Sequence, residues 1–298
     1  MLPSFIASAA KTLTESTSIA LAQQIECQEI ATPLSPKPIA TTYVRQGNGK
    51  NPILLLHGFD SSILEFRRLL PLLAQERETW GIDLLGFGFT QRLSELSYSP
   101  VEIKTHLYYC WKTLIGQPVI LVGASMGGAT ALDFTLTYPE AVEKLVLLDS
   151  AGLVNPPTIG KLMFPPLDYW ATEFLRNPKV RHNISRAAYH DKSLATQDAQ
   201  ICAALHLNCS RWRETLIAFT KSGGYGNFAS QLSQIDRDTL ILWGKSDRIL
   251  GLKAATQFEK LLTYSKLVWI DNCGHVPHLE KPQITAAEIL HFAPTKFG

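Results

Sequence analysis

The chain has 298 residues, and 28 Lys and Arg against 26 Asp and Glu give a formal net charge of +2, a balance that argues against nucleic acid as a principal partner. With 46% hydrophobic and 18% charged residues it is too apolar for a disordered chain and long enough to bury a large core, as one domain with an insertion or as two small ones. The five cysteines, Cys27, Cys110, Cys202, Cys209 and Cys273, are scattered and show no C-x-x-C spacing, which argues against a disulfide framework or a structural zinc site and makes a reducing, intracellular compartment the expectation.

The stretch from Leu2 to Ala22 is rich in Ser, Thr and Ala and is interrupted by Lys11 and Glu15. It lacks the continuous apolar core of a secretory signal, so residues 1–24 are read as an arm or surface helix of a protein that is not secreted. Ile25 to Arg45 predicts one or two antiparallel edge strands, with Pro33, Pro36 and Pro38 punctuating the turn between them. Short apolar runs then recur at Ile53 to Leu56, Thr79 to Asp83, Val119 to Val122, Leu145 to Leu148, Thr239 to Trp243 and Leu267 to Ile270, as expected of strands buried on both faces of a parallel sheet. Amphipathic stretches of helical length lie between most of them: Glu65 to Leu73, Val101 to Ile115, Gly128 to Tyr138 and Leu252 to Leu262. This alternation predicts an α/β fold with a mostly parallel sheet flanked by helices. The uncharged run Thr113 to Leu132 is long enough to cross a bilayer, but Gly116, Pro118, Gly123, Gly127 and Gly128 divide it into helix, turn, strand, turn and helix.

From Leu153 to about Ser233 the rhythm stops and no strand pattern appears, so the reading is a core of residues 25–152 and 234–298 with a helical lid inserted at 153–233. The run Leu162-Met163-Phe164-Pro165-Pro166-Leu167-Asp168-Tyr169-Trp170 is too apolar for an ordinary surface loop. It packs down as the lid's own core, or faces an apolar ligand or a membrane surface.

The sharpest chemical signal is Gly123-Ala124-Ser125-Met126-Gly127-Gly128, which follows an apolar strand and opens a helical stretch. That is the context of a nucleophile elbow, in which small residues two places before and after the serine permit a strained, tight turn. The serine needs a base, and Gly274-His275 after a strand makes His275 that base in preference to His278. His57 with Asp83 and Ser125 would match the chain order of the chymotrypsin-type enzymes, but those are β-barrels, whereas His57 ends a parallel strand here. Asp247, just past the strand Thr239 to Trp243, is the expected carboxylate, with Asp149 the competing choice. Backbone N–H groups of Met126 and Phe59 are the expected oxyanion donors, and Asp60-Ser61-Ser62 reads as a helix cap. No cofactor fingerprint or metal-ligand spacing appears in the sequence, so metal-free, cofactor-free chemistry is expected.

His57-Gly58-Phe59, Asp83-Leu84-Leu85-Gly86-Phe87-Gly88, the elbow, Asp247 and Gly274-His275 together resemble the α/β-hydrolase superfamily over nearly the whole chain. Within it, His57 to Arg68, Glu78-Thr79-Trp80 and Ser222-Gly223-Gly224-Tyr225 resemble the chlorophyll dephytylase group. The related pheophytinase group has Pro-Gly-Phe-Gly where this chain has His57 to Asp60. The resemblance implies hydrolysis of the phytyl ester of chlorophyll to chlorophyllide and phytol, and peripheral association with the thylakoid membrane. For such a substrate Leu162, Met163, Phe164, Leu167, Tyr169 and Trp170 would line an apolar tunnel or form a foot in the bilayer surface. The same triad also serves general carboxylesterases and lipases, carbon–carbon bond hydrolases and lyases, and the fold supports catalytically silent receptors.

Overall fold

The computed structural model describes residues 11–154 and 165–293. Eight strands form one sheet: β1 Glu26–Thr32, β2 Ser35–Gln46, β3 Ile53–Leu56, β4 Thr79–Ile82, β5 Val119–Ala124, β6 Val142–Leu148, β7 Thr239–Gly244 and β8 Ser265–Ile270, in the order β1-β2-β4-β3-β5-β6-β7-β8. The first two strands pair antiparallel with each other, β2 pairs antiparallel with β4, and every later pairing is parallel. Sheet burial follows directly from the apolar runs. In β3, Leu54 and Leu56 join the core on one face while Ile53 and Leu55 join the core on the other; in β5, Val119 and Leu121 are split from Ile120 and Val122 in the same way.

The expected edge strands form, with one correction. Only Pro33 lies in the turn, and Pro36 and Pro38 stand inside β2. Here β2 has β1 on one side only, where Ala40 turns its N–H outward to the Gln91 side chain, and its register with β1 shifts along the stretch that holds Pro36 and Pro38. A residue without an N–H is tolerated on that open side.

The first described helix, α1 (Ser16–Gln23), is short, and its N-terminus is satisfied from a distant part of the chain. Asp198 accepts hydrogen bonds from Thr14 N–H at 2.6 Å, Glu15 N–H at 3.0 Å and the Ser18 hydroxyl at 2.6 Å. Between β4 and β5 runs α3 (Pro100–Leu114), after the single-turn α2 (Leu70–Leu73). Ser99 and Glu102 close a capping box at the start of α3, with Pro100 in the first turn. The next helix, α4 (Met126–Thr137), leaves β5 through Ser125. The uncharged run Thr113 to Leu132 is therefore the end of α3, all of β5 and the start of α4, and among the described residues no helix is long and apolar enough to cross a membrane.

Between β6 and β7 the described residues hold no strand, and their helices are α5 (Leu167–Arg176), α6 (Pro178–Ala188), α7 (Gln197–Ala204) and α8 (Trp212–Ser222), with a 3₁₀ turn Leu205–Asn208 before α8. Three further helices, α9 (Leu252–Leu261), α10 (Pro277–Glu280) and α11 (Pro282–Phe292), complete the flanks of the sheet. All five cysteines are free.

Candidate active site

The C-terminal ends of β3, β5, β6, β7 and β8 bring the candidate residues together, as expected of a parallel sheet whose ligands gather at the carboxyl ends of the strands. Ser125 has φ 51° and ψ −116°, a region costly for any residue with a Cβ. The turn survives because the backbone around it is packed too closely for side chains: a Cβ at Gly127 would sit 2.0 Å from Leu56 O, and one at Gly123 would sit 2.3 Å from Gly127 O. Ser125 N–H is tied to Leu148 O at 3.0 Å, and Gly128 N–H returns to Ser125 O at 3.0 Å.

His275 Nε2 stands 3.0 Å from Ser125 Oγ, and its Nδ1 stands 3.1 Å from Asp247 Oδ2. The other Asp247 oxygen accepts Ile249 N–H at 2.7 Å and Leu250 N–H at 3.3 Å, which orients the carboxylate. Such a row can lower the cost of deprotonating a serine hydroxyl, with Asp247 selecting the imidazole tautomer. The other two histidines considered from sequence are engaged elsewhere. His57 is fully buried, accepts Leu84 N–H on Nε2 at 3.1 Å and so donates from Nδ1 to Gly58 O at 2.8 Å. His278 Nε2 faces Glu65 Oε1 at 3.0 Å.

Asp149, the competing acid, stands directly behind this row. Its carboxylate accepts Gly244 N–H at 3.1 Å, and ligand atoms of Asp149, Asp247 and His275 all lie within 4.8 Å of one another. Two carboxyls so close do not both ionise. Burial, and then the Asp247 charge, pushes the Asp149 carboxyl well above its ordinary value, with Glu280 adding to the effect. Burial also works on Asp247, but the His275 imidazole and the Ile249 and Leu250 N–H groups hold it below the usual range. Asp149 is thus the carboxyl that keeps its proton.

A carboxyl whose pKa rises on folding takes up a proton as the chain folds. Its contribution to stability is therefore lost as pH rises from the ordinary 3.8 toward the folded-state value, by about 1.4 kcal/mol per pH unit. Asp149→Asn mimics the protonated form at every pH. It is expected to melt above wild type near about pH 8, with the gap closing by about pH 4. Thermal melts across this range test the point, and a gap that does not change with pH would refute it.

Phe59 and Met126, the expected oxyanion donors, flank Ser125. Met126 is the first residue of α4, where the N–H has no intrahelical acceptor. The loop before Phe59 is set by Gly58 N–H, which donates to Glu65 Oε2 at 3.0 Å. Burial opposes ionisation of Glu65, but the His278 and Ser61 side chains beside it hold its carboxyl down to about 2. The Phe59 ring packs on Phe87 at 6.0 Å and on Phe219 of α8 at 5.9 Å, and Tyr225 of the Ser222 to Tyr225 motif lies 6.2 Å from Phe219.

Asp60-Ser61-Ser62 does not cap the turn that follows. Ser62 makes no side-chain cap bond, and Ile63 N–H is taken by Asp83 Oδ1 at 2.8 Å instead. Asp60, at φ 48°, reaches the other way, into the helical segment. Its Oδ1 accepts Trp212 Nε1 at 2.8 Å and His206 Nε2 at 2.9 Å, and its Oδ2 accepts Arg181 Nη1 at 2.6 Å. Arg181 also reaches Ala203 O at 2.6 Å. Burial opposes the Asp60 charge, but His206 and Arg181 hold its carboxyl below the usual range; burial moves His206 the other way, below the ordinary imidazole value. Nothing in the sequence marks Asp60 for this role beyond its place next to Phe59.

A cavity of about 320 Å³ opens beside Ser125 and His275. Core residues Phe59 and Ile249 line one side; Leu175 of α5, Ile184 of α6 and Ala199 and Cys202 of α7 line the other. Of the apolar residues assigned to a tunnel from sequence, Leu162, Met163 and Phe164 lie outside the described residues. Leu167, Tyr169 and Trp170 are not in the cavity wall: they are 47%, 46% and 62% exposed on α5. The physical reason is that α5 turns its polar side inward, where Asp168 meets Lys221 at 2.7 Å and Thr172 is buried.

An eight-stranded, mostly parallel sheet, a serine on a strained strand-to-helix turn and a histidine and aspartate delivered from later loops define the α/β-hydrolase class. The family model described as alpha/beta hydrolase fold matches residues 51–282, and the chain belongs to that family and is a hydrolase. It is 36% identical over 253 residues to the alpha/beta hydrolase domain-containing protein VTE7 of Arabidopsis thaliana, covering 84% of this chain and 76% of that protein. It is 30% identical over 253 residues to the 2-hydroxy-6-oxo-2,4-heptadienoate hydrolase of Pseudomonas putida, covering 78% of this chain and 84% of that enzyme. Among solved structures, a serine hydrolase involved in carbazole degradation superposes with a TM-score of 0.75 at 25% identity, covering 90% of this chain and 98% of that one.

Proposed function

We propose that the chain is a serine esterase that cleaves the phytyl ester of chlorophyll to chlorophyllide and phytol. The observation that carries the hydrolytic mechanism is the row of Ser125, His275 and Asp247 at 3.0 and 3.1 Å beside an apolar-walled cavity; the motifs around His57 to Arg68 and Ser222 to Tyr225 point to the substrate. Ser125 Oγ attacks the propionate carbonyl while His275 takes its proton, and the oxyanion is received by the N–H groups of Met126 and Phe59. Phytol leaves with the proton held on His275, and the chlorin propionyl group stays on Ser125. Water deprotonated by His275 then releases chlorophyllide. The magnesium belongs to the substrate and takes no part in these steps.

A cavity of about 320 Å³ is at the small end for ligand sites, so it accommodates one limb of this ester, with the other at the mouth. Burial of a phytyl chain of roughly 20 carbons supplies about 10 kcal/mol or more. Chlorophyll resides in lipid, and the reading includes peripheral association with the thylakoid membrane. The test is incubation of wild-type and Ser125→Ala protein with detergent-solubilised chlorophyll a, with products separated by chromatography. Chlorophyllide from wild type alone is the expected result. If wild type cleaves a nitrophenyl ester but yields no chlorophyllide, the dephytylase reading falls and a general carboxylesterase or lipase takes its place.

A second reading, carbon–carbon bond hydrolysis of a carboxylate-bearing dienone, is favoured by the Pseudomonas putida relative and by one feature of the cavity. Arg67, only 2% exposed, lines it, and a buried guanidinium would seat a carboxylate. Turnover of such a dienone in preference to any ester would establish that reading.

A further inference from the structure

We infer that Glu280 is a positioning residue for the proposed base: through its carboxylate the turn that follows α6 is fastened to the loop of His275 and holds the imidazole against Ser125. The inference rests on the serine mechanism proposed above and not on the identity of the ester.

The first observation is where the hydrogen bonds of Glu280 go. The residue ends α10, is only 7% exposed and is not in the cavity wall, which separates it from the place where an ester would bind. Its carboxylate accepts three backbone N–H groups from two segments far apart in the chain. Oε2 takes Gly274 N–H at 2.7 Å and His190 N–H at 2.9 Å, and Oε1 takes Asp191 N–H at 2.6 Å. Three donors spread over both oxygens call for a carboxylate, because an amide side chain offers a single acceptor oxygen. The same N–H groups meet the cost of burying the charge.

The second observation is that the turn after α6 shapes the loop of His275. Asn272 enters this loop at φ 50°, a conformation that persists only where the surroundings impose it. His275 N–H donates to Ala188 O, at the end of α6, at 2.7 Å. The contact has no slack: a Cβ at Gly274 would lie 2.2 Å from Ala188 O and 2.8 Å from His190 N. His190 extends the connection to the acid. Its Nδ1 pairs at 2.8 Å with the hydroxyl of Ser246, the neighbour of Asp247, and Ser246 N–H returns to Cys273 O at 2.8 Å. Residues 188–190 thus touch the loops of both His275 and Asp247, and Glu280 is the side chain that closes this circuit on the base. Ala188 and Tyr189 also line the cavity, so a ligand that displaces the turn displaces the base with it. A shift of about 1 Å in a catalytic group costs about 100-fold in rate.

The experiment compares wild type with Glu280→Ala and Glu280→Gln, each well below its own melting temperature. Steady-state kinetics on a soluble nitrophenyl ester and the rate of fluorophosphonate labelling report on Ser125 and His275. Amide hydrogen exchange of residues 186–194 and 270–278 reports on the two segments directly. Glu280→Ala is expected to lower kcat about 100-fold while KM changes less than about threefold. Labelling is expected to slow in proportion, and exchange to quicken in both segments together. Glu280→Gln, with its oxygen toward Gly274 and His190, keeps two of the three hydrogen bonds and is expected to regain at least about tenfold in kcat. Its exchange should quicken in 186–194 and stay at the wild-type level in 270–278. A Glu280→Ala protein that melts lower but keeps kcat within about threefold of wild type would make the role structural only and overturn the proposal. So would a loss carried by KM, or a glutamine variant as slow as the alanine one, which would assign the effect to charge. Should alanine prevent folding, the glutamine variant decides alone: unchanged kcat together with unchanged exchange in 186–194 overturns the proposal. Absence of chlorophyllide sinks the substrate reading without touching these measurements, which need no chlorophyll. A wild type that does not label removes the serine mechanism and this proposal with it.

Discussion

Exchange of Ser125 for alanine is expected to lower kcat by about 10⁶-fold on any ester that the wild-type protein accepts, and to abolish labelling by a fluorophosphonate probe. The magnitude follows from the cooperation of the three groups: with the nucleophile gone, His275 has no serine proton to take and Asp247 no imidazolium to stabilise, and only binding and the oxyanion donors remain. The fold is expected to stay intact. Alanine keeps the Cβ already accommodated at φ 51°, and the loss is confined to the 3.0 Å contact with His275, whose Nδ1 still has Asp247 at 3.1 Å. Wild-type and variant melts should therefore coincide while turnover differs by orders of magnitude. A variant that labels or turns over normally would remove Ser125 from the mechanism.

The largest expected loss of stability belongs to Asp60→Ala. The substitution strips an acceptor from Trp212 Nε1, His206 Nε2 and the Arg181 guanidinium at once. Two of these groups are buried and the third is a cation, and removing one member of such a set costs about 3–5 kcal/mol, a fall in Tm on the order of 10 °C. Asp60→Asn keeps one acceptor oxygen and the side-chain shape, so its loss should be smaller. Because Asp60 adjoins Phe59, both variants are also expected to lower kcat more than they raise KM. Differential scanning calorimetry with steady-state kinetics on a soluble ester decides the matter, and an alanine variant that melts within about 1 °C of wild type would show the cluster to be dispensable.

The legible and illegible parts of the chain differ in how far apart the deciding residues lie. The strands β3 and β5 are legible because both faces are buried, which leaves uninterrupted apolar runs. The loops that carry Ser125, Asp247 and His275 are legible because each is a short local pattern at a strand end, with glycine where backbone comes too close for a Cβ. Asp60 is not legible: it resembles a cap locally, and its partners lie 121, 146 and 152 residues further along. The orientation of α5 is hidden for the same reason. Its composition allows either side to face the core, and the choice is made by Lys221, 53 residues away, through Asp168. Pro36 and Pro38 signal a break in the chain when seen alone, and only the pairing of β2 with a single neighbour at that end explains why the strand continues through them.

The attachment of α1 to Asp198 has a practical consequence for anyone who expresses this protein. A chain started at β1, the natural boundary by sheet topology, would lack Thr14, Glu15 and Ser18 and leave the Asp198 carboxylate without those three donors. Asp198 lies in the first turn of α7, and the next residue, Ala199, together with Cys202 is part of the cavity wall. Trimming the N-terminus for solubility or crystallisation would therefore alter the shape of the ligand chamber, and activities measured on such a truncated form would describe a different enzyme.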